Sequence, residues 1–77
     1  MHPEYIKPGF EQAKSRLVEE IGEVLQALGK CERFGYHNRY PENDYQNYSK
    51  LLFEFMDLED AIACFKTAYV EEKQHAV

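Results

Sequence analysis

The chain has only two cysteines and no long apolar segment. Cys31 and Cys64 lie far apart and form no CxxC pair, which excludes a dense disulfide framework and favours two free thiols. No apolar run approaches the ~20 residues of a membrane span, and the first residues lack the basic segment and apolar core of a signal peptide. We therefore expect a cytoplasmic protein that does not insert into a membrane.

Positive charge is also scarce. The 77 residues include 14 Asp and Glu against 9 Lys and Arg, which gives a formal net charge of -5. A protein that binds the phosphate backbone of a nucleic acid needs a basic stripe, so this balance argues against a nucleic-acid polymer as the main ligand. The GxxxxGK[ST] loop is missing as well, and any nucleotide chemistry is therefore not that of the P-loop enzymes.

Two amphipathic helices account for most of the sequence. Apolar residues recur at steps of three and four in both, which is the spacing of one helical face. Pro3, Pro8 and Gly9 predict an extended lead-in over residues 1–9, and Gly29 predicts the end of helix one. We expect a single all-α domain over 1–77, with helix one at 10–29, a connection at 30–47 and helix two at 48–72. The apolar stripes are Phe10, Ala13, Leu17, Ile21, Val24 and Leu28 in helix one, and Leu51, Phe55, Leu58, Ile62, Phe65 and Tyr69 in helix two.

Each helix carries a pair of acids beside its apolar stripe. On a helical wheel Glu23 falls about 60° from Glu20, and Asp57 falls about 60° from Glu54 on the same side. If the two stripes pack on each other, four carboxylates converge and repel one another unless a cation neutralises them. Oxygen ligands alone suit a hard ion, Mg²⁺ or Mn²⁺, and Mg²⁺ tends to bind together with substrate phosphates. A single acid pair on a helix is more often solvated surface, and that interpretation stays open beside the metal site.

The acids also form two motifs in a characteristic order. Glu19-Glu20-Ile21-Gly22-Glu23 followed by Glu54-Phe55-Met56-Asp57 resembles the EExxE and ExxD motifs of the all-α, MazG-like nucleoside triphosphate pyrophosphatases. That group includes dimeric dUTPases and phosphoribosyl-ATP pyrophosphatases. The resemblance covers about residues 14–65. Ferritin-like di-iron bundles also use helical carboxylates, but they need a Glu-x-x-His pair. Both pairs in this sequence end in an acid, which argues against a di-iron site.

The resemblance implies an antiparallel helical hairpin that forms a four-helix-type bundle as a homo-oligomer, either a dimer or a tetramer. A lone domain of this size buries only about 60% of its unfolded surface, which also favours a partner chain. The implied activity is hydrolysis of an NTP or dNTP to the monophosphate and pyrophosphate. By position, Glu20, Glu23, Glu54 and Asp57 match the metal ligands. Glu19 matches the extra acid of the first motif and could orient or deprotonate the attacking water, although a supporting or surface role suits it equally, and Glu20 is the second predicted catalytic residue.

The residues that bind substrate phosphates and base are less well specified by the sequence. Basic side chains could bind the phosphates, and the aromatic rings of the connection could stack on a nucleobase or could instead pack over the end of the bundle or in a dimer interface. The candidates are Lys14, Arg33, Tyr36, Arg39, Lys50 and Lys66, or residues of a neighbouring subunit. Two other functions remain open: phosphoribosyl-ATP hydrolysis, and a non-catalytic helical module that binds nucleotide or another protein.

Overall fold

Two long helices form a hairpin. The computed structural model describes residues 9–39 and 45–75, with α1 at Phe10–Phe34 and α2 at Asn47–His75. The helices pack along their length, and no β-strand occurs within the described ranges. This confirms the predicted all-α hairpin. Within the same ranges, no helix is both long and apolar enough to cross a membrane.

Helix α1 continues past the predicted end at Gly29 and stops at Phe34. Gly29 is helical although glycine costs about 1 kcal/mol relative to alanine in a helix. The reason is that Cys31, one turn beyond Ala27, is fully buried and packs with Leu51, so the extra turn buries apolar surface. Gly35 ends the helix instead: its φ of 97° favours glycine, and its N–H donates to the carbonyl of Cys31 at 2.8 Å.

The connection is correspondingly shorter than the predicted 30–47, and α2 extends beyond the predicted 48–72 at both ends. Asn47 is buried at the start of α2, and its side-chain Nδ2 donates to the carbonyl of Gly35 at 3.0 Å. The backbone N–H of Tyr48 donates to the carbonyl of Tyr36 at 2.8 Å. These bonds tie the two helix ends together and set where α2 begins. Of the predicted lead-in at 1–9, residues 1–8 lie outside the described ranges.

The two helices meet along a narrow row of positions, which we call the seam. Seam residues alternate at steps of four and three, as in the a and d positions of a coiled coil. All eight buried residues of the described ranges belong to the seam, so the seam is the core of the hairpin. Four of the eight are alanines, which lets the two backbones approach closely. The seam consists of Ala13, Leu17, Glu20, Val24, Ala27 and Cys31 in α1, and Asn47, Leu51, Glu54, Leu58, Ala61, Phe65 and Ala68 in α2.

Part of each predicted apolar stripe does not enter the core. Ile21 and Leu28 in α1, like Phe55, Ile62 and Tyr69 in α2, follow seam positions by one residue and stay exposed. A two-helix hairpin covers only a narrow strip of each helix, whereas the sequence stripes have the greater width of helices in a larger bundle. We call this exposed part, together with the exposed apolar side chains beside it that were not assigned to the stripes, the outer apolar face. It consists of Val18, Ile21, Leu25, Leu28, Tyr48, Leu52, Phe55, Ile62 and Tyr69.

Candidate metal centre

Three of the four predicted ligands come together at the middle of the hairpin. One carboxylate oxygen from each of Glu20, Glu54 and Asp57 lies within 4.8 Å of the other two. Glu20 and Glu54 occupy seam positions, and Asp57 stands one turn after Glu54 at the edge of the seam. Packing of the two helices therefore brings acids from both into one group, as the wheel positions predict.

The environment of Glu20 disfavours its charged form. Burial raises the pKa of this carboxyl above its ordinary value, and the neighbouring charges of Asp57 and Glu54 raise it further, while Arg16 acts in the opposite direction. The side chain of Glu20 is only 17% exposed. Three acids held this close repel one another, and a bound cation would remove that repulsion.

Glu54 is buried, and Lys50 is its partner. Glu54 is 5% exposed, and its Oε2 lies 2.5 Å from Nζ of Lys50, one turn earlier on α2. The hydrogen bond to Glu54 raises the pKa of Lys50 against the opposing effect of burial, which keeps the lysine charged. A carboxylate inside a seam is costly unless it is paired, so this contact stabilises the hairpin as it stands. Of the candidate phosphate-binding residues, Lys50 is the one that the structure places against the carboxylates.

Arg16 holds the equivalent position on α1. It precedes Glu20 by four residues, as Lys50 precedes Glu54, and its Nε lies 3.9 Å from Oε2 of Glu20. Its Nη2 donates to Oδ2 of Asp60 at 3.0 Å, and its Nη1 donates to Sγ of Cys64 at 3.5 Å. Arg16 thus joins α1 to α2 on the same edge of the seam where Lys50 and Asp57 lie.

Our sequence reasoning did not select Arg16, although a signal for it is present. Ser15-Arg16-Leu17 precedes Glu20 in the same way that Ser49-Lys50-Leu51 precedes Glu54. Glu23 and Asp57 then follow at matching distances. The two helices thus repeat one pattern of a cation, a seam acid and an edge acid. Aligning the helices on their acids would have indicated that Arg16 is the counterpart of Lys50.

Glu23, the fourth predicted ligand, and Glu19, one of the two predicted catalytic acids, are not members of the three-carboxylate group. Glu23 is exposed and is not one of the three acids within 4.8 Å, but its charge contributes to the raised pKa of Lys50. Glu19 is exposed too, and its charge contributes to the raised pKa of Glu20. Glu19 thus acts electrostatically on the carboxylate group, and Glu23 acts on Lys50, the partner of Glu54.

The other predicted substrate-binding residues are not gathered at the carboxylates within one chain. Lys14 pairs with Glu11 at 2.7 Å and stands over the ring of Phe10.

The connected end of the hairpin contains three of the other candidates, Arg33, Tyr36 and Arg39. Arg33 lies roughly 20 Å along α1 from Glu20. The Arg33 guanidinium lies over the Phe34 ring, while the Tyr36 hydroxyl donates to Glu32 and the ring packs against the core. Lys66 is exposed on α2.

The carboxylate group suits a hard divalent ion in both chemistry and size. Its ligand atoms are all oxygens, which Mg²⁺ and Mn²⁺ prefer. Neighbouring oxygens bound to one octahedral Mg²⁺ at about 2.1 Å lie roughly 3.0 Å apart, so the three side chains, whose oxygens lie within 4.8 Å of one another, would move closer together when they bind the ion. No thiol or imidazole belongs to the group, which makes it a poor zinc site.

Comparison of the chain with protein-family models, with curated proteins and with solved structures gave no match.

Proposed function

We propose that this chain is a Mg²⁺-dependent nucleoside triphosphate pyrophosphohydrolase of the MazG-like kind, which releases a nucleoside monophosphate and pyrophosphate. The observation that carries the proposal is the convergence of Glu20, Glu54 and Asp57 from two helices. These are acids of the EExxE and ExxD motifs on which the sequence resemblance rests. The geometry of the hairpin therefore supports the same metal site that the order and spacing of the motifs indicate.

Glu20, Glu54 and Asp57 would hold the ion, and Glu23, which matches the fourth ligand of the motif and whose charge acts on Lys50, would be the fourth ligand. When bound, Mg²⁺ or Mn²⁺ offsets negative charge on the phosphates of the substrate and on the departing pyrophosphate. The resemblance assigns Glu19 and Glu20 to catalysis, in which a carboxylate could accept a proton from the attacking water.

Lys50 is the cation best placed to bind substrate phosphate in this proposal. Its side chain is 44% exposed, so the amine reaches both Glu54 and solvent at the edge of the seam. Donation from a lysine ammonium to phosphate oxygens is a common mode of phosphate binding in proteins. Arg16, at the equivalent place on α1, is a second candidate for the same role.

The proposal includes assembly of the chain with copies of itself, as a dimer or a tetramer. Leu51 is the one large side chain among the buried apolar residues of the described ranges, the others being alanines and Cys31. Hydrophobic stabilisation scales with the apolar area buried, so the hairpin alone gains little from its core. A further copy of the chain that covers the larger, exposed apolar side chains would add the hydrophobic stabilisation that the hairpin alone lacks.

An assay of pyrophosphate release tests the activity. Wild type would be given NTPs, dNTPs and phosphoribosyl-ATP in turn, with Mg²⁺ or with EDTA. We expect Mg²⁺-dependent release from nucleoside triphosphates, and a loss of at least 100-fold in Glu20→Gln and Glu54→Gln, because ligand removal costs no less than removal of a supporting residue. Glu72→Gln, an exposed acid near the end of α2, is the matched control and should keep full activity.

The other outcomes of this assay decide against the proposal. Turnover of phosphoribosyl-ATP alone would assign the chain to that activity instead. No turnover of any substrate, together with a melting temperature indifferent to Mg²⁺ and EDTA, would identify a non-catalytic helical module. Equal activity of wild type and both ligand variants would remove Glu20 and Glu54 from the site.

A further inference from the structure

Two exposed aromatic rings lie on the same edge of the seam as the carboxylate group. Phe53 stands three residues after Lys50 and four before Asp57, and residues at these spacings are neighbours on one face of a helix. Phe53 is 56% exposed. The ring of Tyr45 lies against it, with 6.4 Å between the ring centroids and an angle of 89° between the ring planes. The pair therefore forms an aromatic surface that adjoins the acids and Lys50.

Tyr45 belongs to the surroundings of Lys50 as well. It precedes the first residue of α2 by two positions, and it is 39% exposed. Its electrostatic effect is one of those that raise the pKa of Lys50. Because such effects weaken with distance, the phenol group is a neighbour of the ammonium. The aromatic pair and the phosphate-binding candidate thus share one part of the surface.

The exposed apolar side chains that do not belong to the outer apolar face are concentrated at this place. Within the described residues there are four of them, and three border the carboxylates: Tyr45, Phe53 and Met56. Met56 is 62% exposed, stands three residues after Phe53 and directly precedes Asp57. Sites for small molecules typically combine aromatic and apolar side chains with a few charged groups that fix the orientation of the ligand. The surface beside the acids has this composition.

The arrangement of the two rings suits a flat aromatic ligand. Rings that meet edge to face at nearly a right angle each keep a face that the other does not cover. A nucleobase stacks on such a face, whichever base it is. One sugar separates the base of a nucleotide from its α-phosphate, a span comparable to one helical turn of roughly 5 Å. Phe53 lies one turn from both Lys50 and Asp57, so a single nucleotide reaches the ring and the charged groups together.

We propose that Phe53 and Tyr45, with Met56 beside them, bind the base of a nucleotide whose phosphates lie at the carboxylate group and Lys50. The inference rests on the proposed function and adds a base subsite to it. Phe53 and Tyr45 then determine how tightly the nucleoside part is held. The divalent ion and Lys50 determine how tightly the phosphates are held.

Isothermal titration calorimetry with Mg²⁺ tests the base subsite. The probes are inorganic triphosphate and the α,β-imido analogues of NTPs and dNTPs that carry each of the common bases. Phe53→Leu keeps an apolar side chain of high helix propensity but removes the ring. Phe55→Leu is the matched control, because Phe55 is an exposed phenylalanine of the same helix that lies on the outer apolar face.

We expect the tightest nucleotide analogue to bind wild type more tightly than inorganic triphosphate does. Phe53→Leu should weaken its binding roughly five- to tenfold, which is within the range for loss of one base–aromatic stack. The same variant should bind inorganic triphosphate as wild type does. Phe55→Leu should resemble wild type with both kinds of probe.

The remaining outcomes separate this inference from the proposed function. Equal nucleotide binding by wild type and Phe53→Leu would overturn the base subsite and leave the proposed activity intact. Equal weakening of nucleotide and inorganic triphosphate in Phe53→Leu would also overturn it, because the ring would then support the phosphate site rather than the base. If no probe bound wild type, the proposed function would fail and the base subsite with it.

A second measurement on wild type covers the case in which Phe53→Leu does not fold. NMR of the complex with the tightest analogue detects protons of the base that lie close to protons of the protein. We expect nuclear Overhauser effects between the base and the ring protons of Phe53 and Tyr45. Effects confined to the rings of Tyr36 and Tyr48, which pack together at the connected end of the hairpin, would contradict the proposed subsite.

Discussion

Lys50 and Glu54 form an ion pair across one turn of α2, with 2.5 Å between Nζ and Oε2. The carboxylate is buried while the lysine remains partly exposed, so the pair places one charge inside the seam and the other at its edge. Lys50 and a divalent ion therefore neutralise the same carboxylate. This relation links the stability of the hairpin to the occupancy of the proposed metal site.

Replacement of Lys50 should make the stability of the hairpin depend more strongly on a bound divalent ion. In EDTA, Lys50→Met leaves Glu54 buried without its partner, and we expect a loss of about 1–2 kcal/mol in the free energy of unfolding. Breaking a fully buried pair costs about 3–5 kcal/mol, and the exposure of Lys50 reduces this figure. Saturating Mg²⁺ should restore most of the loss. Urea denaturation with EDTA and with Mg²⁺ measures both effects.

Lys30→Met, at a half-buried lysine near the end of α1, is the control for the Lys50 variant. It should show no such dependence on Mg²⁺. Calorimetric titration should also show tighter Mg²⁺ binding by Lys50→Met than by wild type, because the competing ammonium is gone. Weaker Mg²⁺ binding by this variant would contradict the shared role of Glu54.

The raised pKa of Glu20 predicts how stability depends on pH in the absence of divalent ions. Burial, and next the charge of Asp57, raises the pKa of Glu20 above its ordinary value of 4.5, so the folded protein keeps this proton to higher pH than the unfolded chain does. The contribution of this group to the free energy of unfolding is full below about pH 4.5. It is lost as the pH rises through the folded-state pKa. Thermal melts in EDTA across this range measure the effect.

Glu20→Gln removes that ionisation and should melt at a higher temperature than wild type at neutral pH in EDTA. Mg²⁺ should stabilise wild type by mass action and leave Glu20→Gln nearly unchanged. Glu72→Gln should follow wild type in both conditions. Superimposable pH profiles for wild type and Glu20→Gln would show that Glu20 ionises as freely in the folded protein as in the unfolded chain.

The two glycines near the end of α1 test where the helix stops. Gly29 lies inside the helix with open space around the position of a Cβ atom, so Gly29→Ala should stabilise by about 0.5–1 kcal/mol. Gly35 has a φ of 97°, and a Cβ there would lie 2.7 Å from Nδ2 of Asn38, so Gly35→Ala should destabilise by about 1–3 kcal/mol. Denaturation of both variants gives the two signs. If Gly29 were the C-cap, the signs would be exchanged.

The sequence predicted the elements of the fold but not how they share their apolar surface. The two stripes correctly indicated two packed helices. Ile21 and Leu28 have the same period as Leu17 and Val24, however, and periodicity alone cannot separate a seam residue from its neighbour on a wide stripe. The extra turn beyond Gly29 depends on the contact of Cys31 with Leu51, a tertiary contact that outweighs the local signal of a glycine.

The candidate site was predictable in its acids and less so in its cations. Glu20, Glu54 and Asp57 are fixed by helical spacing once the stripes face each other, and the structure brings them together. Arg16 contacts Asp60 and Cys64 of the other helix, and those contacts depend on the register of the hairpin, which spacing within one helix does not define. Glu23 shares its helical spacing with Asp57, yet it lies outside the three-carboxylate group.

Direct titration with Mn²⁺, followed by electron paramagnetic resonance, tests whether the carboxylates of the two helices share a divalent ion. Mn²⁺ takes the same oxygen ligands as Mg²⁺, and its free and bound forms are distinguished in the spectrum. We predict saturable binding to wild type and to Glu72→Gln, competition by Mg²⁺, and loss of binding in both Glu20→Gln and Glu54→Gln, which remove one acid from each helix. Binding of equal strength in wild type and the two ligand variants, or no binding to wild type at all, would contradict a metal centre at this place in the hairpin.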